Sequence, residues 1–297
     1  MSYNIEIRHL RYFSALAEEL HFRKAAEKLY ITQPGLSRQI KILEEQLGVQ
    51  LLKRNKKSVS LTRAGNYLKT ETDYILNHIL HVSAQVKAIG DGHKGEIRIG
   101  FVGSAMQKVI PELLLKLDDE YPGVSASLEE LSNQSQINQL MNDKLDIGFV
   151  RLRRTPNEIQ SIAVNRETFS LVLPQNHHLD KNNFNNLGQL KDEHFILFSR
   201  IYSPDYFSTV MSLFDDQSFV PTISHKSVHA NTIYKLVENN LGIAIVPTSL
   251  SKGFDLKIKF IELDKIPQRT TLYLCYKKNN RNPAMKNFLS LVKGIKE

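Results

Sequence analysis

The sequence has 297 residues, 41% hydrophobic and 24% charged, which is enough apolar material for the cores of two or three compact domains. No run approaches the ~18 consecutive apolar residues of a membrane span, and Glu6, Arg8, Arg11, Glu18 and Glu19 occupy the stretch where a secretory signal would be apolar, so a cytoplasmic location without membrane attachment is expected. One cysteine, Cys275, excludes a disulfide within the chain and a cysteine zinc site; flanked by Leu272, Tyr273, Leu274 and Tyr276, it is expected to be an inert core thiol.

The net charge of +8 is unevenly spread. Residues 1–66 hold twelve Lys/Arg against six Asp/Glu, a net +6, while residues 67–297 hold 27 against 25. A basic segment of domain size points to a polyanionic partner.

In chain order, Leu10, Phe13, Leu16, Ala17 and Leu20 recur at helical spacing, and a second helix is predicted from Phe22 to Tyr30 with Ala25, Ala26 and Leu29 inward. After the break at Ile31-Thr32-Gln33, Pro34 suits the first turn of a third helix. That helix carries Leu36, Ile40, Leu43 and Leu47 on one face and stops at Gly48. Gln50–Leu52 and Val59–Leu61 flank Lys53-Arg54-Asn55-Lys56-Lys57, a hairpin with a basic tip. Thr62 is placed to cap a proline-free helix reaching about Ile89. Thr72, Ile75, Ile79, Val82, Val86 and Ile89 follow the alternating spacing of a coiled-coil seam, from which Lys69, Glu71 and Lys87 are absent; this predicts a dimerisation helix, the alternative being a single amphipathic helix packed on its own domain.

Beyond Asp91–Gly95 the pattern alternates between strands and helices. Strands are predicted at 97–102, 124–128, 145–150, 169–173, 194–198, 243–246 and 271–276, with helices at 106–121, 136–142 and from Pro283. Such alternation predicts a parallel, doubly wound sheet.

The second and third helices have helix-turn-helix spacing, in which the second helix enters the major groove. Thr32, Gln33, Pro34, Ser37, Arg38 and Lys41 are the residues expected to face the duplex. Gln33 suits an adenine edge and Arg38 a guanine edge or a phosphate, while Lys53, Arg54, Lys56 and Lys57 would meet phosphates. The competing reading is a small helical domain with a solvated basic face.

His9-Leu10-Arg11-Tyr12-Phe13, Phe22–Leu29, Thr32-Gln33-Pro34-Gly35-Leu36-Ser37-Arg38-Gln39-Ile40, Leu43–Gly48, Leu51-Leu52-Lys53-Arg54 and Leu61–Gly65 follow one another in order and spacing. Over these ~60 residues the chain resembles the N-terminal domain of the LysR-type transcriptional regulators. Gly35 departs from the small residue or proline usual there, at about 1 kcal/mol of helix propensity relative to Ala, and Leu52 stands where Phe is frequent. The remainder is similar more loosely, through Gly95–Gly100, Asp146–Phe149 and Gly242–Pro247. The resemblance implies a fold of an N-terminal all-α winged helix-turn-helix (1–66), a linker helix (62–90) and a C-terminal α/β domain (91–297) like the periplasmic solute-binding proteins. That domain would have two subdomains, 95–166 with 267–297 and 167–266, and an effector in their cleft. The partners implied are duplex promoter DNA, a small anionic effector, further copies of the chain as a dimer of dimers, and RNA polymerase, with no cofactor and no metal.

Positions at strand ends and helix starts identify the candidate effector residues. Ser104 follows the first strand, Ser132 and Asn133 the second, and Arg151 the third, all at the binding edge of such sheets. Pro204 and Tyr206 lie in a loop after the strand at 194–198, on the opposite subdomain, and His229 opens a helix. Resemblance to the aromatic-acid-responsive branch places Ser104, Asn133, Arg151, Pro204 and Tyr206 where effector contacts would be. The alternatives are that Ser104, Ser132 and His229 only cap helices and that Arg151 pairs with an acid. No nucleophile, P-loop or metalloprotease pattern stands out, so a non-enzyme is expected. The alternative functions are a solute-binding protein and an enzyme acting on a small acid, each with a fused basic domain.

Overall fold

A computed structural model of the chain describes residues 5–54, 59–90, 95–253 and 255–292. Two compact units emerge, Met1–Lys87 and Ala88–Glu297.

In the first unit, α1 (Ile7–Glu19), α2 (Phe22–Lys28) and α3 (Gln33–Leu47) precede a two-stranded hairpin, β1 (Leu52–Arg54) and β2 (Val59–Leu61), and α4 (Arg63–Gly90). The apolar spacing predicts the buried face: Phe13 and Leu16, Ala25 and Ala26, and Leu36, Ile40 and Leu43 form one core with Leu51 and Leu52. Each fully buried large side chain there contributes about 1.5–3 kcal/mol. Local chemistry sets the ends of α3. The Thr32 hydroxyl accepts the Gly35 amide at 3.3 Å, and Gly48 ends the helix at φ 68°, a left-handed turn that glycine adopts freely.

Buried polar contacts lock the helices together. Buried His9 accepts the Glu6 amide at Nδ1 (3.2 Å), which leaves its Nε2–H to donate to Gln39 Oε1 at 3.0 Å, tying α1 to α3. From α3, Glu44 accepts the Leu51 and Leu52 amides at 2.9 and 3.2 Å, fixing the entry to the hairpin. A Cβ on Gly65 would lie 2.1 Å from the Leu51 carbonyl oxygen, so only glycine allows α4 to start this close to the hairpin.

Thr62 caps α4 as expected, accepting the Gly65 amide at 3.0 Å. The predicted seam needs one correction. Thr72 is fully buried within the first unit, where Ser14 of α1 donates to Asp73 at 3.1 Å and Lys69 holds Asp73 at 2.6 Å. The first turns of α4 therefore belong to the domain core, and the exposed apolar stripe begins at Ile75 and continues through Val82 and Val86.

The second unit contains β3 (Gly95–Phe101), α5 (Val109–Glu120), β4 (Val124–Glu130), α6 (Asn133–Met141), β5 (Ile147–Val150), β6 (Ile159–Glu167), β7 (Phe169–Pro174), β8 (His194–Phe198), α7 (Pro204–Asp215), β9 (Thr222–Ser227), α8 (Ala230–Glu238), β10 (Ile243–Pro247), β11 (Ile258–Glu262), β12 (Thr270–Lys277) and α9 (Met285–Val292). They form two five-stranded sheets, ordered β4-β3-β5-β12-β6 and β11-β7-β10-β8-β9. The chain crosses between the sheets twice, from β6 to β7 and from β11 to β12, which makes two lobes joined by a hinge.

The sheets are mixed rather than wholly parallel. β3 runs parallel to β4 and β5, and β8 to β9 and β10, while β12 runs antiparallel to β5 and β6, and β7 to β10 and β11. The antiparallel strands are those next to the crossings, because a chain entering from the other lobe returns along the sheet without a covering helix. Cys275 is fully buried in β12, 3.3 Å from Ser161 Oγ, and burial pushes its thiol up to about 11. Asp146 braces the first sheet. Burial alone would raise its pKa, but the Arg98 fork at 2.9 and 3.0 Å, the Arg98 amide and Asn280 reverse the sign and hold it low.

Candidate functional site

Two surfaces gather the residues singled out from the sequence. On α3, Leu36, Ile40 and Leu43 face the core, which turns Gln33, Pro34, Arg38 and Lys41 outward, with Ser37 half-buried. Arg38 has no hydrogen bond or ion pair among the described residues. Lys41 pairs with Glu45 at 3.6 Å with both side chains exposed, a contact worth little. Thr32 is exposed with its hydroxyl serving as a cap. Lys53 is exposed on β1; Arg54 closes β1, and Lys56 and Lys57 lie outside the described residues. Tyr30, not singled out by the sequence pattern, is 96% exposed in the turn before α3, at φ 56°. An uncommitted helix face of donors beside a cationic strand matches the geometry that reads a major groove.

The second surface is the cleft between the two lobes of the α/β unit. Its cavity is lined by Val102, Gly103, Ser104, Glu130 and Arg151 from the first lobe and by Phe198, Tyr202, Ser203, Tyr206, Val228, Ala230, Pro247 and Leu250 from the second, with a partly open space of about 40 Å³. Such a space holds water-sized molecules, far below the ~300–1,000 Å³ of ordinary ligand sites.

Arg151 forms the floor, with only 5% of its surface exposed. Its Nε donates to Ser104 Oγ at 3.0 Å, Nη1 to Thr270 Oγ1 at 3.0 Å and Nη2 to Glu167 Oε1 at 2.5 Å. Glu167, also nearly buried, further accepts Asn165 Nδ2 at 3.0 Å, Ser249 Oγ at 3.0 Å and the Ser249 amide, so one carboxylate ties the floor of the first lobe to the second. Asn133 is fully buried; its side chain accepts the Arg151 amide at 3.0 Å and donates to Ser203 Oγ at 2.7 Å. Ser104 and Ser203 thus each receive a hydrogen bond from a fixed donor, and both line the cavity with a hydroxyl that can still donate.

Around the rim, Tyr202 donates to Glu130 at 3.4 Å, and His229 Nδ1 lies 3.4 Å from the same oxygen. Burial, reinforced by Glu130, pushes the Tyr202 hydroxyl well above its ordinary value. Tyr206 is likewise pushed up by burial, and its hydroxyl donates to the Ile245 carbonyl at 3.0 Å. Both phenols are therefore neutral donors at physiological pH.

Comparison with known proteins matches a family model to each of the two parts of the chain. The profile described as "Bacterial regulatory helix-turn-helix protein, lysR family" matches residues 7–66, and that described as "LysR substrate binding domain" matches residues 90–295. The chain belongs to the LysR family. Among curated relatives, the regulator AlsR of Bacillus subtilis (strain 168) is 33% identical over 97% of this chain and 95% of its own length, and BenM of Acinetobacter baylyi is 30% identical over 98% and 96%. Full-length BenM also matches as a solved structure, at TM-score 0.59 and 29% identity over 98% of this chain and 96% of that one. CbnR complexed with its target DNA matches at TM-score 0.74 and 24% identity, over 97% and 99%, a likeness of fold. This LysR-type protein is a DNA-binding transcription regulator with an effector-binding domain.

Of the residues singled out for the effector, Ser104, Arg151 and Tyr206 line the cavity of the regulator. Ser132 caps α6, accepting the Ser135 amide at 3.2 Å; Asn133 is spent on the network beneath; Pro204 and Tyr206 stand in the first turn of α7 rather than in the expected loop, Pro204 fitting a helix start; and His229 sits exposed on the rim. The sequence reading passed over Glu130, Tyr202, Ser203 and Glu167. Glu130 ends a parallel strand at the same edge as Ser104 and Arg151, so the strand-end rule used for those two would have found it. Glu167 has no local signal, since its importance comes from contacts with Arg151 and with Ser249, 82 residues away.

Proposed function

We propose that the regulator binds promoter DNA by laying α3 in the major groove, with Gln33, Ser37 and Arg38 toward base edges and the β1–β2 wing against phosphates, and that it responds to a small acceptor-bearing, anionic effector in the cleft. The observation that carries the effector reading is the pair of cavity-lining hydroxyls, Ser104 and Ser203, each of which accepts a hydrogen bond, from Arg151 and Asn133, and keeps its O–H available to donate. Only three of the five guanidinium N–H groups of Arg151 have partners among the described residues, which leaves two for an effector oxygen. A carboxylate is the acceptor these donors suit best. Phe198, Tyr206 and Leu250 supply an apolar wall for the rest of the molecule, and the Glu130 carboxylate at the rim disfavours a second negative charge at that end.

The small space supports a sensing step in which the effector parts the lobes and shifts their equilibrium through differential affinity. The exposed apolar stripe of α4 supports self-association, and two such pairs would form the dimer of dimers. RNA polymerase is the further partner through which a bound regulator would act. Domain limits of 1–66, 62–90 and 91–297 fit this division of labour.

The effector reading is tested by calorimetric titration of the full chain with benzoate, succinate and neutral benzamide at fixed ionic strength. Saturable binding of a carboxylate, lost in Ser104→Ala and absent for the amide, is expected; preference for the amide would overturn the anionic reading. The DNA reading is tested by binding to the promoter regions recovered by genomic footprinting, where affinity should fall steeply with salt.

A further inference from the structure

Outside the cleft, the effector-binding domain has a second hollow of about 610 Å³ with a different character. Four cationic side chains line it, Lys108, Arg166, Lys252 and Arg269, against two carboxylates, Glu167 and Glu262. Both carboxylates already accept hydrogen bonds: Glu167 holds Arg151 and Ser249, and Glu262 accepts Thr168 Oγ1 at 2.5 Å. Lys108, Arg166 and Lys252 have no ion pair among the described residues. Arg269 donates to the backbone carbonyls of Ile266, Gln268 and Asp264, which fix the guanidinium in place without neutralising it. The result is a net +2 in one concave space. Like charges gathered this way repel one another, so the arrangement is relieved by an anion. The hollow also spans the hinge: Lys108 and Arg166 come from the first lobe, Lys252 from the second, and Glu167 forms a wall on its hinge side while its carboxylate holds the cleft floor.

We propose that this hollow is a second ligand site that takes a small, multiply charged anion, phosphorylated or polycarboxylate, and braces the two lobes against each other. It differs from the cleft in kind. The cleft offers hydroxyl donors and an apolar wall in about 40 Å³, while the hollow offers a fixed guanidinium and three further cations in open space, suited to several negative groups and little apolar surface.

The test is calorimetric titration of the full chain with citrate and, separately, pyrophosphate, at about 0.15 M ionic strength held constant with sodium chloride. At least one anion should bind saturably, with a dissociation constant below about 1 mM. The triple variant Lys108→Gln/Arg166→Gln/Lys252→Gln should weaken it by about tenfold or more. A control of equal charge change at exposed lysines elsewhere, Lys181→Gln/Lys191→Gln/Lys286→Gln, should leave it within about twofold, which also separates this site from the basic surface of the N-terminal domain. Arg166→Gln alone should weaken binding about threefold or more and serves if the triple variant misfolds. Citrate binding without pyrophosphate identifies a polycarboxylate site, and the reverse a phosphate site. No saturable binding of either anion, or equal loss in the control variant, overturns the proposal.

Discussion

Arg38 on α3 and Arg151 at the base of the cleft are the same residue type in opposite circumstances. Arg38 is exposed and uncommitted among the described residues, so its charge and all its donors are offered outward. Arg151 is buried, and its charge is balanced by Glu167 before any ligand arrives. An arginine that reads DNA must hold its hydrogen bonds in reserve for the duplex. One that floors a cleft must be neutralised to be buried at all, and it acts on the ligand through the polar groups it orients, Ser104 foremost.

The largest effect should come from breaking the buried pair. Arg151→Ala strands the Glu167 carboxylate and is expected to cost about 3–5 kcal/mol, read as a lower melting temperature and urea midpoint of the C-terminal domain. Adding Glu167→Gln should restore a substantial part, and the double-mutant cycle measures the coupling. Additive losses would show that the two residues act separately. Arg38→Ala should leave stability unchanged within about 0.5 kcal/mol while weakening promoter binding by about 1–3 kcal/mol, read by fluorescence anisotropy. If it also altered effector titrations of the isolated protein, the contrast between the two arginines would be wrong.

A third prediction concerns pH. The folded-state pKa of Asp146 lies below its ordinary value, so its contribution is fully present above the unfolded pKa and is lost as pH falls through the folded one. Stability of the C-terminal domain should therefore decline below about pH 4, and Asp146→Asn should flatten that decline in urea titrations across acidic pH. An unchanged acid limb would remove Asp146 from the account. The smallest effect is expected at the wing: Lys53→Ala should weaken DNA binding at every sequence alike and reduce the salt slope by about 1. A sequence-dependent loss would instead make Lys53 a base contact.

Legibility from the sequence divided along the same line. The helix-turn-helix could be read because its determinants are local: apolar spacing on α3, the Thr32 cap, Pro34 in the first turn and Gly48 at the end all act within a few residues. Its outward face follows from the inward one. Thr72 was misplaced because helical periodicity reports that a face is apolar and does not say what covers it; Ser14 and Asp73, 59 residues apart, show that the first unit does. The parallel sheet was expected from βαβ alternation, and the strands at 159–167, 222–227 and 258–262 went unread, since mixed or polar faces such as Thr-Ile-Ser-His-Lys-Ser carry weak alternation.

Within the cleft, the strand-end positions of Ser104 and Arg151 were decided by chain order, because parallel strands deliver their C-terminal ends to one edge. What Arg151 does there was decided by packing. Glu167 reaches it from the hinge strand, Thr270 from 119 residues away in sequence, and Ser249 closes the network from the other lobe. The order of residues along a strand is enough to say which side chains stand at an edge, since that follows from backbone geometry. Which buried charge meets which partner depends on contacts between distant segments, and only the assembled lobes bring those atoms within hydrogen-bonding range.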